Sequence, residues 1–111
     1  MLIISTKNPQ FRIKNSLRRR VREAIKKYPN ARKVDRTMNL IGCSIEYLIA
    51  YLESKFQEGM NIDNYGKWHI DHIRPCSSYD LDDPQQQREC FNYKNLQPLW
   101  AKDNLEKSDK F

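Results

Sequence analysis

Trp68-His69-Ile70-Asp71-His72-Ile73, answered downstream by Asn95-Leu96-Gln97-Pro98-Leu99 and by Asn104, is the stretch from which the fold can be read. Lys67 to Ile73 has strand character, entered through the turn Tyr65-Gly66 and halted by Pro75. Lys94 to Leu99 gives a second strand, and Ala101 to about Lys110 a final helix. Successive side chains on a regular strand face opposite ways, so His69 and Asp71 share a face. Asp71 and His72 can serve one ligand together only where the strand ends or is distorted. The residue types have a common chemistry. Asp offers an anionic oxygen, Asn a neutral amide oxygen, and His a base whose unperturbed pKa of about 6.5 lies near neutrality.

Around this motif, 111 residues leave room for one domain with a modest core. The hydrophobic share is 39% and the charged share 31%, which suits a domain facing water or a polar partner. The formal charge of +6 is concentrated rather than spread. Residues 7–36 hold twelve Lys or Arg against Glu23 and Asp35, while the rest carries eight basic and twelve acidic side chains. A segment so cationic points to a polyanion when it stands beside such a grouping of carboxylate, imidazole and amide. Cys43, Cys76 and Cys90 are odd in number and have no C-x-x-C spacing, so they fit neither a disulfide framework nor a four-cysteine zinc site. Buried reduced thiols are expected. No apolar run approaches the length of a membrane span, and Met1-Leu2-Ile3-Ile4 is too short for the apolar part of a signal peptide. The expected location is intracellular and soluble.

Ahead of the motif two amphipathic helices are expected. Ile13, Leu17, Val21, Ala24, Ile25 and Tyr28 recur at spacings of three and four between Pro9 and Tyr28. Arg12, Arg19, Arg22 and Lys26 lie opposite them, and Pro29-Asn30 ends the run. Residues 30–41 read as a loop. Ser44 suits the N-cap of a helix through about Gln57, with Ile45, Leu48, Ile49, Leu52 and Phe56 as its apolar stripe. Between the strands, Asp82 or Asp83 can cap a short helix from Pro84 through Phe91.

The Asp71-His72 pair, the Ile and Pro that follow it, Asn95-Leu96-Gln97-Pro98-Leu99, the nine-residue step to Asn104 and Lys107 beyond together resemble the HNH endonucleases. The likeness covers residues 68–110. The wider stretch from Gly42-Cys43-Ser44 is similar to HNH proteins of phages and large DNA viruses, many of them related to homing enzymes. It implies an α+β fold, N-terminal helices packed on a C-terminal ββα-metal finger. Residues 1–40 would form a basic helical segment and 41–111 the nuclease domain, with a helix over 44–57 and the finger over 67–110, in one compact unit.

The same resemblance assigns roles. His72 is the general base that takes a proton from water, and Asp71 with Asn104 holds one divalent ion, Mg²⁺ or Mn²⁺. The ion would stabilise the pentavalent transition state and the 3′ leaving oxygen, giving 5′-phosphate and 3′-hydroxyl ends. Asn95 matches the family's central Asn, which bonds the backbone near the catalytic His, and so takes an orienting role. Lys107 is expected to contact phosphate or help hold the site, and Arg74 is a weaker candidate for that work. His69 reads as a structural or DNA-contacting residue ahead of a third ligand. Outside the likeness, and on composition alone, Arg18, Arg19, Arg20, Arg22, Lys26 and Lys27 would hold the phosphates of double-stranded DNA without reading sequence.

Two departures from the family pattern stand out. Trp100 and Asp103 occupy the positions beside Asn104 where many members carry cysteines, so no structural zinc is expected. The connection from His72 to Asn95 is longer than in compact members. Two rival readings remain, a nucleic-acid-binding module that does not cut and a structure-selective or RNA-directed nuclease. Binding alone needs no general base, which favours an enzyme. Oligomeric state is not encoded in any feature of the motif.

Overall fold

The computed structural model describes residues 8–107, with side chains as far as Asn104; the apolar residues 1–4 lie outside the described residues. Asn8 accepts a hydrogen bond from the Phe11 amide through its side chain, and Pro9 occupies the first turn, so helix α1 runs Pro9–Lys26. Its apolar stripe (Ile13, Leu17, Val21, Ala24, Ile25) is buried, as the spacing predicts. Helix α2, Thr37–Ile41, falls where a loop was expected. Five residues are too few to show a helical period, and Arg36 at its N-cap makes no side-chain cap bond. What stops it is Gly42, at φ 85°, where a Cβ would come within 2.9 Å of the Asn92 amide nitrogen.

Ser44 caps helix α3, Ile45–Glu53, by accepting from the Tyr47 amide. The helix ends a turn earlier than its apolar stripe suggests, and Phe56 reaches the core from the turn that follows. Strand β1 spans Trp68–His72 and strand β2 Leu96–Trp100, and they pair antiparallel as a two-stranded sheet. Between them lie a short 3₁₀ turn at Cys76–Ser78 and helix α4, Pro84–Phe91, capped by Asp83 as expected. Helix α5, Ala101–Lys107, follows β2 directly and packs on both strands.

The register places His69 opposite Leu99, Ile70 opposite Pro98 and Asp71 opposite Gln97. The Ile73 amide donates to the Asn95 carbonyl and the Ala101 amide to the Lys67 carbonyl, both at 2.8 Å, just beyond the two ends. Hydrogen-bonded pairs alternate along an antiparallel ladder, so His69–Leu99 and Asp71–Gln97 belong to that set. Ile70–Pro98 is then a non-hydrogen-bonded pair. The N–H that Pro98 lacks is one the ladder does not use.

One apolar cluster joins residues of α1, α2, α3, β1, α4 and β2. Trp68 is fully buried in it, edge-on to Phe56 and Tyr65, with its indole N–H donating to the Asn61 carbonyl at 2.8 Å. Of the three buried polar residues among those described, Thr37, Asp71 and Gln87, the last lies on α4 and is the most enclosed. It is fully buried, accepts from the Val34 amide at 2.8 Å, and donates to the Arg32 and Leu81 carbonyls at 2.9 and 3.1 Å. One side chain therefore ties α4 to the segment that links α1 and α2. Replacing it leaves the buried Leu81 carbonyl and two partly buried backbone groups without their partner, at about 1 kcal/mol for the buried one and less for the others. Urea unfolding of Gln87→Leu is expected to show a loss of about 1–2 kcal/mol, whereas an unchanged midpoint would mean that the linking segment holds without it.

Candidate metal and nucleic-acid site

Alternation along β1 sorts its polar residues onto two sides. His69 and Asp71 face one way, toward α5, where the Asn104 amide nitrogen lies 3.4 Å from His69 Nδ1. Asp71 is buried, and its Oδ2 accepts from Gln97 Nε2 at 3.0 Å, its register partner on β2. With the Asn104 nitrogen turned to His69, its carbonyl oxygen is the atom left to face a cation. A carboxylate oxygen and an amide oxygen are the hard donors that Mg²⁺ or Mn²⁺ takes, so the residues present fit such an ion. Lys107 closes α5, and its side chain lies outside the described residues.

The cationic face of α1 stands against this edge of the sheet. Arg20 donates through Nη1 to the Ile70 carbonyl, which anchors the helix on β1. A groove of about 610 Å³ runs between them, with Arg12, Arg18, Arg19, Arg20 and Arg22 on one wall and Tyr65 and His69 on the other. Arg12 lies over the Tyr65 ring, 5.3 Å from its centroid. Burial holds the His69 imidazole below the ordinary histidine pKa, and Arg20 and Arg19 push it the same way. Lys33 is likewise lowered, first by burial and then by Arg18 and Arg22. Such crowding of like charge on one surface favours a polyanion. Lys26 and Lys27 continue that surface at the end of α1.

Asn95 acts on the backbone just past β1. Its side chain accepts from the Arg74 amide at 2.8 Å and donates to the Arg74 and Cys90 carbonyls, each at 3.0 Å. Arg74 itself is turned away from the groove. Its guanidinium bonds Ser78 and stacks 4.0 Å from the Tyr79 centroid.

His72 is the last residue of β1, and its ring lies on the other side of the strand, edge-on to Phe91 at 5.8 Å. Its Nε2 is buried with no hydrogen-bond partner among the described residues. Beside it the Cys90 thiol donates to Cys76 Sγ at 3.2 Å. That bond, with further help from His72 and in spite of burial, draws the Cys76 thiol down to about 5. Cys90, which keeps the shared proton, is raised. So the Asn104 amide meets His69, which lines the groove, and Asp71 shares that strand face, while His72 meets the two cysteines.

Two participants escaped the sequence reading. Gln97 lies within the quoted motif, but its pairing with Asp71 depends on a register that spacing alone does not give. The meeting of His72, Cys76 and Cys90 left a faint trace in the His-x₃-Cys step, which a search for paired cysteines passes over.

The chain is 34% identical over 104 residues, 93% of its length, to the uncharacterized protein L246 of Acanthamoeba polyphaga mimivirus. It is 37% identical over 101 residues, 90% of its length, to the uncharacterized protein L426 of the same virus. It spans less than half of either relative, 44% and 43% of their lengths. No family model matches the chain, and no solved structure matches it. Among the described residues no helix is long and apolar enough to cross a membrane.

The lowered His69 value sets a pH dependence. A histidine that resists protonation when folded gives stability that is present above the unfolded pKa, near 6.5, and declines as the pH falls below it. Unfolding free energy is expected to fall from pH 7 toward pH 5, less steeply in His69→Gln, and the His69 ring resonance should titrate below 6.5.

Proposed function

We propose that this chain is a metal-dependent endonuclease of the HNH class acting on double-stranded DNA, built on a ββα-metal finger formed by β1, β2 and α5. The observation that carries this reading is His69 on the wall of an arginine-lined groove, with the Asn104 amide 3.4 Å from its ring and Asp71 on the same face of β1. Bound by Asp71 and Asn104, Mg²⁺ or Mn²⁺ would offset charge on the scissile phosphate and on the leaving oxygen. The residues of the chain do the positioning. Gln97 fixes the Asp71 carboxylate, and Asn95 fixes the backbone that leaves His72. Arg18, Arg19 and Arg22, exposed along α1, would hold phosphates, with Arg20 committed to the sheet. The similarity to two mimivirus proteins accords with the viral side of the HNH resemblance.

The general base is His72 by the resemblance. In this structure its imidazole stands on the face of β1 opposite Asp71, edge-on to Phe91, so serving an ion at Asp71 would require the backbone at the end of the strand to turn. A second reading gives the base to His69, because that ring already stands beside Asn104, and burial with Arg20 lowers its pKa.

Supercoiled plasmid incubated with the protein and Mg²⁺ should be converted to nicked or linear DNA, and EDTA should prevent it. Asp71→Ala and His72→Ala are expected to slow cutting by about a hundredfold or more. Loss in His69→Ala with His72→Ala still active would move the base to His69. A wild type that shifts DNA in a gel but cuts nothing with Mg²⁺ or Mn²⁺ would make a binding module the better account.

A further inference from the structure

The side of the sheet turned from the groove holds a second cluster of ligand atoms. His72 ends β1, Cys76 opens the turn that follows Pro75, and Cys90 lies in the last turn of α4. One ligand atom from each falls within 4.8 Å of the others, and both thiols are buried and free. We propose that His72, Cys76 and Cys90 form a binding site for a soft divalent cation of the zinc class.

Three observations lead there. The donors are two sulfurs and an imidazole, the set that Zn²⁺ prefers and Mg²⁺ does not. A tetrahedral ion with bonds of about 2.3 Å to sulfur and 2.0 Å to nitrogen puts its ligands roughly 3.3–3.8 Å apart, inside the space the three atoms already share. And His72 Nε2 lies buried with nothing to bond among the described residues, which is costly for a polar atom in a core. Binding holds both sulfurs as thiolates and releases to solvent the proton that Cys90 donates to Cys76, with any other the pair carries, and the imidazole donates its lone pair. The three side chains supply three of the four ligands that zinc usually takes.

This site differs in kind from the Asp71–Asn104 site, and softness keeps their ions apart. It also has a structural consequence. The three ligands come from the strand, the turn and the helix of the long connection, so one ion would join all of them. Cation binding and proton transfer compete for the same imidazole, so with the ion in place His72 is not a base. The proposal does not rest on nuclease activity, because its readout is optical.

The reduced protein, with its three thiols confirmed by titration, is mixed anaerobically with Co²⁺ as a coloured stand-in for Zn²⁺. One equivalent should bring up sulfur-to-cobalt charge-transfer absorption and the visible bands of a tetrahedral site, and Zn²⁺ should bleach both. Cys76→Ser and Cys90→Ser should lose the charge-transfer band or weaken it by about half, while Cys43→Ser keeps it whole. Circular dichroism checks that each variant is folded. If the wild type shows no charge-transfer band, the site does not exist, and no variant is needed to say so. A band that keeps its full strength in both serine variants, or that vanishes in Cys43→Ser, would overturn the assignment of ligands.

Discussion

The arrangement depends on how the chain closes the 22-residue excursion between His72 and Asn95. That excursion carries a turn and a helix, and its two ends must return to neighbouring strands in one register. The Asn95 side chain joins them by bonding the Arg74 backbone at both its amide and its carbonyl, and a third bond reaches the Cys90 carbonyl at the end of α4. An asparagine suits the place because its amide both donates and accepts, while a carboxylate would only accept. With the register so held, Gln97 meets Asp71, and α5 starts where Asn104 can meet His69. The groove-side chemistry is thus a consequence of a closure made on the other side of the strand.

Helix α1 divides its work by face. Its apolar stripe is part of the core, and its other side lines the groove. Folding draws on a dry contact that salt hardly touches, whereas the proposed phosphate binding would draw on charges that salt screens. On that proposal, ionic strength would weaken the hold on a polyanion without loosening α1 from the core in which Ile13, Leu17 and Val21 are buried. The burden falls on the surface charges, among which Lys33 is lowered first by burial and then by its neighbours Arg18 and Arg22.

Much of the fold was legible because local patterns determine it. The α1 and α3 stripes, the caps Ser44 and Asp83, and the two strands follow from periodicity and end chemistry, and the structure differs mainly by a turn at the ends. Helix α2 was illegible because one and a half turns show no period, and because its stop, Gly42, is set by an approach of Asn92 from fifty residues away. The site divides in the same way. Pairing His69 with Asp71 needed only the two-residue period of a strand. That Asn104 would meet His69, and that His72 would turn to Cys76 and Cys90, depends on which elements stack on which side, a matter of tertiary packing.

A sheet of two strands has two outer margins, and each is normally a row of open donors and acceptors onto which another chain can add. Here the β2 margin carries Pro98 at its centre, where a donor is missing, and the β1 margin has its Ile70 carbonyl already taken by Arg20. Both rows are interrupted at the middle residue, directly across from one another. A third strand would find no continuous ladder on either side. The smallest of sheets is thereby kept from growing by the same proline and arginine that lie within its motif and its basic helix.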